Sequence, residues 1–321
     1  MTLREVVVVG GSIGALTAVE MLRMEDFDGR ITVLSDEDVP PYTRVPLSKG
    51  VLAGTESIDD VVLAPLADEV DLRLKTPATG LDLRARTVHT PAGPVPYDGL
   101  VIATGGRARR LGHPGQDERV LRTYGDCVRL RDDLAASSSV LVVGGGFLGM
   151  EIASTARTLG KDVTVVDLAP PLDRLLGAVV GGHVRSVATH AGVRIVVTDG
   201  GVRLLGAPTP TGVELVDGTR LEADLVVSAV GDVPDVEWLE YCADRGLVVL
   251  SKDRRLRYRP DEIAVIQGRG LRVFVLARGN LAAAVQGRRF IDNEALIRAE
   301  LGRSGPFVCA VYAHGVKRIF R

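Results

Sequence analysis

The stretch "SSVLVVGGGFLGMEIASTARTLGKDVTVVDLAP" constrains the fold of this chain more than any other. An apolar run at 140–143 leads into Gly144, Gly146 and Gly149, spaced G-x-G-x-x-G, and a helical pattern follows. A second strand, 162–166, ends in Asp167. Strand, glycine turn and helix in this order make half of a doubly wound α/β fold. The first glycine makes the turn, the second leaves room for a pyrophosphate, and the third lets the helix lie against the strand. Free N–H groups and the positive end of the helix dipole then face the phosphates. A carboxylate at the end of the second strand, here Asp167, accepts from a ribose 2′-hydroxyl and repels a 2′-phosphate. No Arg follows it immediately, so NAD is expected in preference to NADP.

The N-terminal stretch "REVVVVGGSIGALTAVEMLR" repeats the pattern in a degenerate form. Residues 6–9 read as a strand buried on both faces. Gly10, Ser12 and Ala15 stand at the three glycine positions: Gly10 makes the turn, Ser12 is small enough for a phosphate to approach, and Ala15 permits close helix packing. A second strand follows in "RITVLSDED", with Asp36 or Glu37 at its end to accept the ribose hydroxyls. Two such units about 130 residues apart suggest FAD at the first and NAD at the second. The expected fold class is α/β, with two Rossmann-like dinucleotide-binding folds followed by a smaller α/β segment. The expected boundaries are 1–110 for the FAD fold, 111–235 for the NAD fold and 236–321 for the remainder.

Two stretches between the glycine turns carry a resemblance. "PPYTRVPLSKGVLAG" matches P-Y-x-R-P-P-L-S-K at Pro41, Tyr42, Arg44, Pro46, Leu47, Ser48 and Lys49, with Val45 in place of one proline. "YDGLVIATGGRARRLGHPG" matches A-T-G-x-x-x-R at Ala103, Thr104, Gly105 and Arg109. With Gly231, Pro234, Trp238 and Leu239 further on, residues 1 to about 240 resemble the FAD-dependent, NADH-using ferredoxin reductases of the pyridine nucleotide-disulfide oxidoreductase superfamily. Members serve Rieske-type oxygenases and cytochrome P450 systems. The resemblance implies Lys49 against the flavin ring and Glu151 approaching the nicotinamide, as the catalytic pair. It also implies Arg44, Ala103, Thr104, Gly105 and Arg109 around the FAD. A guanidinium such as Arg44 suits a pyrophosphate, which it can hold bidentately. Cys127, Cys242 and Cys309 are far apart in sequence, so a disulfide-reductase branch, a disulfide framework and a zinc site are not indicated. No metal is expected.

The resemblance breaks after Trp238. A reductase of this kind returns to its FAD fold through P-G-[IV]-[FY]-A-x-G-D and ends in an interface domain. In "LRVFVLARGNLAAAV" the aspartate position is Asn280, the preceding P-G is absent, and the FAD fold is read as incomplete. Residues from about 235 resemble instead the C-terminal half of a PIN-like ribonuclease domain, with Asp235 and Asp253 as the candidate carboxylates and a last strand near 307–312. The junction near "VPDVEWLE" joins two patterns, as a fusion or chimera would. Residues 251–321 carry 15 Lys+Arg against 6 Asp+Glu, a net of +9, while the other 250 carry −11. That asymmetry reads either as a solvated, Arg-rich surface or as a tail open to weak RNA contact.

The expected function is hydride transfer from NADH to FAD, then electron transfer to a ferredoxin-like or haem partner. The alternatives are an impaired fusion that only binds nucleotide, or a nuclease or RNA-binding tail. No apolar run reaches the ~18 residues that span a bilayer, and a cytoplasmic location is expected.

Overall fold

The computed structural model describes residues 3–64, 66, 69–113, 115–231, 235–244, 248–251, 256, 260–277 and 283–320. They divide into two compact units, Met1–Leu16 with Asp28–Asp232, and Thr17–Phe27 with Val233–Arg321.

The first unit holds two sheets of the same design. The first fold comprises β1 (Glu5–Val9), α1 (Ile13–Met24, whose later residues belong to the second unit), β2 (Arg30–Leu34), a 3-10 turn at Val45–Ser48, α2 (Gly50–Ala53), β3 (Val70–Arg73), β4 (Gly80–Asp82), β5 (Thr87–Thr90), β6 (Gly93–Pro96) and β7 (Gly99–Ile102). The second comprises α3 (Tyr124–Ala136), β8 (Ser139–Val143), α4 (Phe147–Thr158), β9 (Asp162–Asp167), α5 (Asp173–His190), β10 (Val193–Val197), β11 (Arg203–Leu205), β12 (Gly212–Glu214), β13 (Arg220–Glu222) and β14 (Leu225–Ser228). The parallel sheets run β3-β2-β1-β7 and β10-β9-β8-β14. In each, the chain reverses direction across the sheet at the strand carrying the glycine turn, the switch point where doubly wound folds bind ligands. The fold class is therefore α/β with two Rossmann-like folds.

Two three-stranded antiparallel meanders, β4-β5-β6 and β11-β12-β13, are inserted before the last strand of each sheet. Their strands of three or four residues are too short to show alternation in sequence. Val88 and Val95 of the first meander close one face of the first sheet against Val7, Val9 and Leu34.

A shared core joins the two folds. Tyr42, Leu47, Val51 and Leu52, from the excursion after β2, are buried with Leu130 and Leu134 of α3 and Ile152 of α4. Fully burying an aliphatic side chain of this kind stabilises by about 1.5–3 kcal/mol, so this core anchors the P-Y-x-R…P-L-S-K segment to the second fold.

The second unit comprises α6 (Asp235–Asp244), β15 (Val248–Ser251), α7 (Pro260–Gly268), β16 (Arg272–Leu276), α8 (Ala283–Asp292), α9 (Glu294–Leu301), β17 (Phe307–Tyr312) and β18 (Gly315–Phe320), with sheet order β15-β16-β17-β18. β16 alternates across two cores. Val273 and Val275 meet Leu239 and Ile266 on one face, while Phe274 and Leu276 meet Phe307 and Ile297 on the other. The sequence reading ends this segment on a strand near 307–312, but the chain turns back into β18, antiparallel to β17. Five of the six β17 residues are buried, so the strand shows no two-residue alternation that would have revealed the hairpin, and a register shift lies between Val308 and Cys309. Asp253, Asn280, Pro234 and most of the Arg run 254–259 lie outside the described residues, as do the side chains of Asp235 and Trp238. No helix among the described residues is long and apolar enough to cross a membrane.

Candidate functional site

The second glycine turn is built by close backbone approach. Gly144 has φ +107°, and a Cβ there would stand 2.4 Å from the carbonyl oxygen of Ala229, just past β14. A Cβ on Gly149 would stand 1.9 Å from the oxygen of Gly144, so only glycine lets α4 pack this near the turn. Gly146 caps α4 with extended backbone and has no heavy atom within 4 Å of a Cβ position. The N-terminus of α4 is therefore open, with a cradle that any larger residue would fill. Asp167 ends β9, and its carboxylate accepts from the Gly145 and Leu168 N–H groups at 2.9 and 2.6 Å. These bonds aim it at the turn.

The first fold repeats the construction. Gly10 has φ +126°, and a Cβ there would meet the Ala103 oxygen at 2.2 Å. Ala103, after β7, thus backs the turn as Ala229 does in the second fold. Ser12 is half-buried and precedes α1, and Ala15 is buried. Gly105 has φ +69° and is exposed with Thr104 and Arg109, whose N–H donates to Gly231 at 2.9 Å. β2 stops at Leu34, so neither expected carboxylate ends the strand. The buried Ser35 follows, since its N–H continues the ladder to the Arg73 oxygen at 2.9 Å, and Asp36 is exposed. Glu37 joins a cluster instead: it accepts from the Tyr42 hydroxyl at 2.6 Å and from Arg44 at 2.8 Å. Arg44 also donates to the Arg122 carbonyl at 2.6 Å, and the Tyr42 hydroxyl accepts from the Tyr124 N–H at 2.7 Å. Burial, reinforced by the bond to Glu37, pushes the Tyr42 hydroxyl above its ordinary range, so it stays a donor.

Lys49 and Glu151 come from different folds and meet. The Lys49 ammonium lies 2.8 Å from Glu151 Oε2, the oxygen that also accepts from the Ser48 hydroxyl at 2.6 Å. Partial burial raises the Glu151 carboxyl, but the hydrogen bonds from Lys49 and Ser48 and the charge of Lys49 outweigh it and hold the group below its ordinary value.

The family model for pyridine nucleotide-disulphide oxidoreductases matches residues 4–257. The chain belongs to that family. Among curated members it is 34% identical over 275 residues to rhodocoxin reductase of Rhodococcus erythropolis, covering 81% of this chain and 64% of that protein. It is 34% identical over 255 residues to the ferredoxin–NAD(+) reductase subunit of the benzene 1,2-dioxygenase system of Pseudomonas putida, covering 76% and 62%. Among solved structures, the ferredoxin reductase for the CYP199A2 system of Rhodopseudomonas palustris superposes with a TM-score of 0.68 at 30% identity, over 77% of this chain and 64% of that one. The reductase in the covalent putidaredoxin reductase–putidaredoxin complex gives 0.66 at 31%, over 77% and 64%. The chain thus spans less than two thirds of the length of these relatives. The family match also runs beyond residue 240, where the motif resemblance stops.

For this family member the structure brings Gly10, Ser12, Ala15 and Ala103 to one turn, and Gly144, Gly146, Gly149 and Asp167 to the other. It gathers Glu37 and Arg44 in one cluster, and pairs Lys49 with Glu151. It leaves Asp36, Thr104 and the Arg109 side chain exposed. Sequence reasoning missed Ala229, Tyr42 as a ligand of Glu37, and Ser48 as a ligand of Glu151. Ala229 occupies the place that Ala103 has in the first fold, and that repeat was the available signal. Open space at Gly146 leaves room for a pyrophosphate at the second turn, and the positive φ of Gly10 and Gly144 lets each turn pack tightly on Ala103 and Ala229.

Proposed function

We propose that the chain is an NADH-dependent flavoprotein oxidoreductase of the ferredoxin-reductase type, taking FAD at the Gly10 turn and NADH at the Gly144 turn. In that pairing NADH supplies a hydride, and FAD accepts it and releases electrons singly to an iron–sulfur protein or a haem protein. Gly10, Ser12 and Ala15 would seat the FAD pyrophosphate, Glu37 and Asp36 its ribose, and Arg44 and Arg109 its negative charge. Ala103, Thr104 and Gly105 would let the backbone lie close to the cofactor. Gly144, Gly146 and Gly149 would seat the NADH pyrophosphate, and Asp167 the adenosine 2′-hydroxyl.

The meeting of Lys49 with Glu151, at 2.8 Å, carries this reading. It puts one cation from the first fold and one anion from the second at a single point, where an electron-accepting ring and a hydride donor would have to adjoin. Lys49 would stabilise negative charge there, and Glu151 would orient both Lys49 and the nicotinamide end. The test is the absorbance of the full chain, reconstituted with FAD, across roughly 350–500 nm, where the flavin absorbs. NADH added without oxygen should bleach those bands, and a ferredoxin should restore them. No flavin bands, or bands indifferent to NADH, would defeat the proposal.

Cys127, Cys242 and Cys309 are buried thiols outside any disulfide, which supports a thiol-reducing setting such as the cytoplasm. The net charge of +9 over 251–321 supports weak RNA contact, which should fade between about 50 and 200 mM salt because counterion release drives it.

A further inference from the structure

Lys49 falls between the 3-10 turn Val45–Ser48 and the four-residue α2. Its seat is made by two helices of the second fold. The carbonyl of Leu47 accepts from Cys127 Sγ of α3 at 3.1 Å, and the next carbonyl, of Ser48, accepts from Thr155 Oγ1 of α4 at 2.7 Å. Burial pushes the Cys127 thiol up to about 11, so it remains a protonated donor. Ser48 is 3% exposed and Thr155 9%. Thr155 lies four residues after Glu151, so both project from one face of α4. Ser48 is therefore gripped twice by the same helix: Thr155 holds its carbonyl, and Glu151 Oε2 accepts its hydroxyl at 2.6 Å.

We propose that Ser48 and Thr155 are positioning residues for the Lys49–Glu151 pair: Thr155 seats Ser48, and the Ser48 hydroxyl orients the carboxylate oxygen that receives the lysine. The motif that carries the lysine would then depend on the second fold for the lysine's place. The assignment of the pair to the flavin end rests on the function proposed above, whereas the positioning concerns only side chains of this chain.

The physical need for a third group is plain. Lys49 and Glu151 side chains are 47% and 37% exposed, and an ion pair so open contributes little by itself and holds no single geometry. Lysine is a point charge on a flexible stem. Lys49 also has a competing acceptor, the Val45 carbonyl, at 3.2 Å. The Ser48 hydroxyl, fixed at its backbone and almost dry, is the rigid member of the three. Among the described residues, α3 shares a core with α4 and carries the charged groups Asp126 and Arg129, which pair with each other, Asp133, which pairs with Arg119, and Arg131 and Asp132. The 3-10 turn, α2 and β8 contain none. β9 has only Asp162, beside Arg157, and Asp167, bonded to the second glycine turn.

The test titrates the Glu151 carboxyl by NMR in the full chain, with 13C-labelled glutamate and Glu151→Gln to assign the signal. Ser48→Ala should move the midpoint up by about one pH unit, the effect of losing one hydrogen bond to the charged form. Ser48→Thr should restore it. Thr155→Val, which keeps the shape and removes the donor, should move it in the same direction by less. A merely structural role would lower the melting temperature and leave the midpoint where it was. An unmoved midpoint in folded Ser48→Ala overturns the proposal; should that variant not fold, an unmoved midpoint in Thr155→Val does so. In protein loaded with FAD, the pH profile of reduction by NADH should shift with the midpoint. If the parent shows no reduction at all, the functional reading fails, and the carboxyl titration still decides the positioning.

Discussion

A single methyl group added at Gly149 should harm the fold, while the same group added at Gly146 should harm binding far more than the fold. At Gly149 the new Cβ would lie 1.9 Å from the Gly144 oxygen, against an ordinary contact of 3.4 Å, so α4 must retreat by about 1.5 Å from the turn. The facing atom is backbone and cannot rotate away. Retreat loosens Ile152, Ala153 and Ala156, all fully buried on α4. Overpacking of this kind costs about 3 kcal/mol, and the better helix propensity of Ala returns about 1. A net loss of about 2 kcal/mol lowers the melting temperature by roughly 4–8 °C for a unit of this size. At Gly146 the backbone has φ −72°, which Ala adopts freely, and there is nothing to collide with. Ala is a poorer N-cap, at a cost of about 0.5 kcal/mol, or roughly 1–2 °C. Yet its methyl would stand where the pyrophosphate has to approach, and NADH affinity should fall at least about tenfold. Calorimetric melting of each variant, with NADH titrated into each, separates the two effects. A Gly149→Ala protein that melts with the parent, or a Gly146→Ala protein that binds NADH as the parent does, would refute the reasoning.

Asp167→Ala should weaken NADH binding and reduce the preference over NADPH, since it removes both the 2′-hydroxyl acceptor and the bonds that hold the Gly145 and Leu168 N–H groups; titration calorimetry with the two nucleotides reads this. Glu151 lies below its ordinary value in the folded chain, so its contribution to stability is complete above about pH 4.5 and is lost as pH falls through the lower folded value. Glu151→Gln should therefore melt earlier than the parent near neutrality and converge with it in acid. FAD should be held weakly and be lost on gel filtration, because "LRVFVLARGNLAAAV" carries Asn280 where the resemblance calls for the aspartate of A-x-G-D. Arg44→Ala should weaken it about tenfold to a hundredfold further, the effect of one charge-assisted contact of about 1.5–3 kcal/mol, read from flavin fluorescence on dilution.

Much of the fold was legible because a glycine turn is a local event. Gly144 and Gly10 need positive φ and close approach to a neighbouring strand, and no other residue type supplies both, so the sequence must declare them. The parallel strands declared themselves too, since burial on both faces demands the continuous valine runs of β1 and β8. The short meanders and β18 were not legible, because three-residue strands and a bulged hairpin leave no period to read. The acid at the end of β2 was half legible. Acids follow β2, but where the strand stops, and which acid the Tyr42–Arg44 cluster gathers in, depends on contacts from Arg122 and Tyr124, some eighty residues away.

By itself the sequence determined the two dinucleotide turns, the order in which they come, and the identities of Lys49 and Glu151. The turns rest on backbone geometry, which belongs to single residues and their near neighbours, whereas Lys49 and Glu151 were singled out by the motifs that resemble the ferredoxin reductases. Only the tertiary structure decided that Lys49 and Glu151 touch, that Ser48 donates to the same carboxylate oxygen, and that Cys127 and Thr155 hold the turn from which the lysine projects. Those contacts span roughly eighty to a hundred residues of chain. They exist because Leu47, Val51 and Leu52 are buried in the core of the second fold, and burial at such separation is set by how whole elements pack.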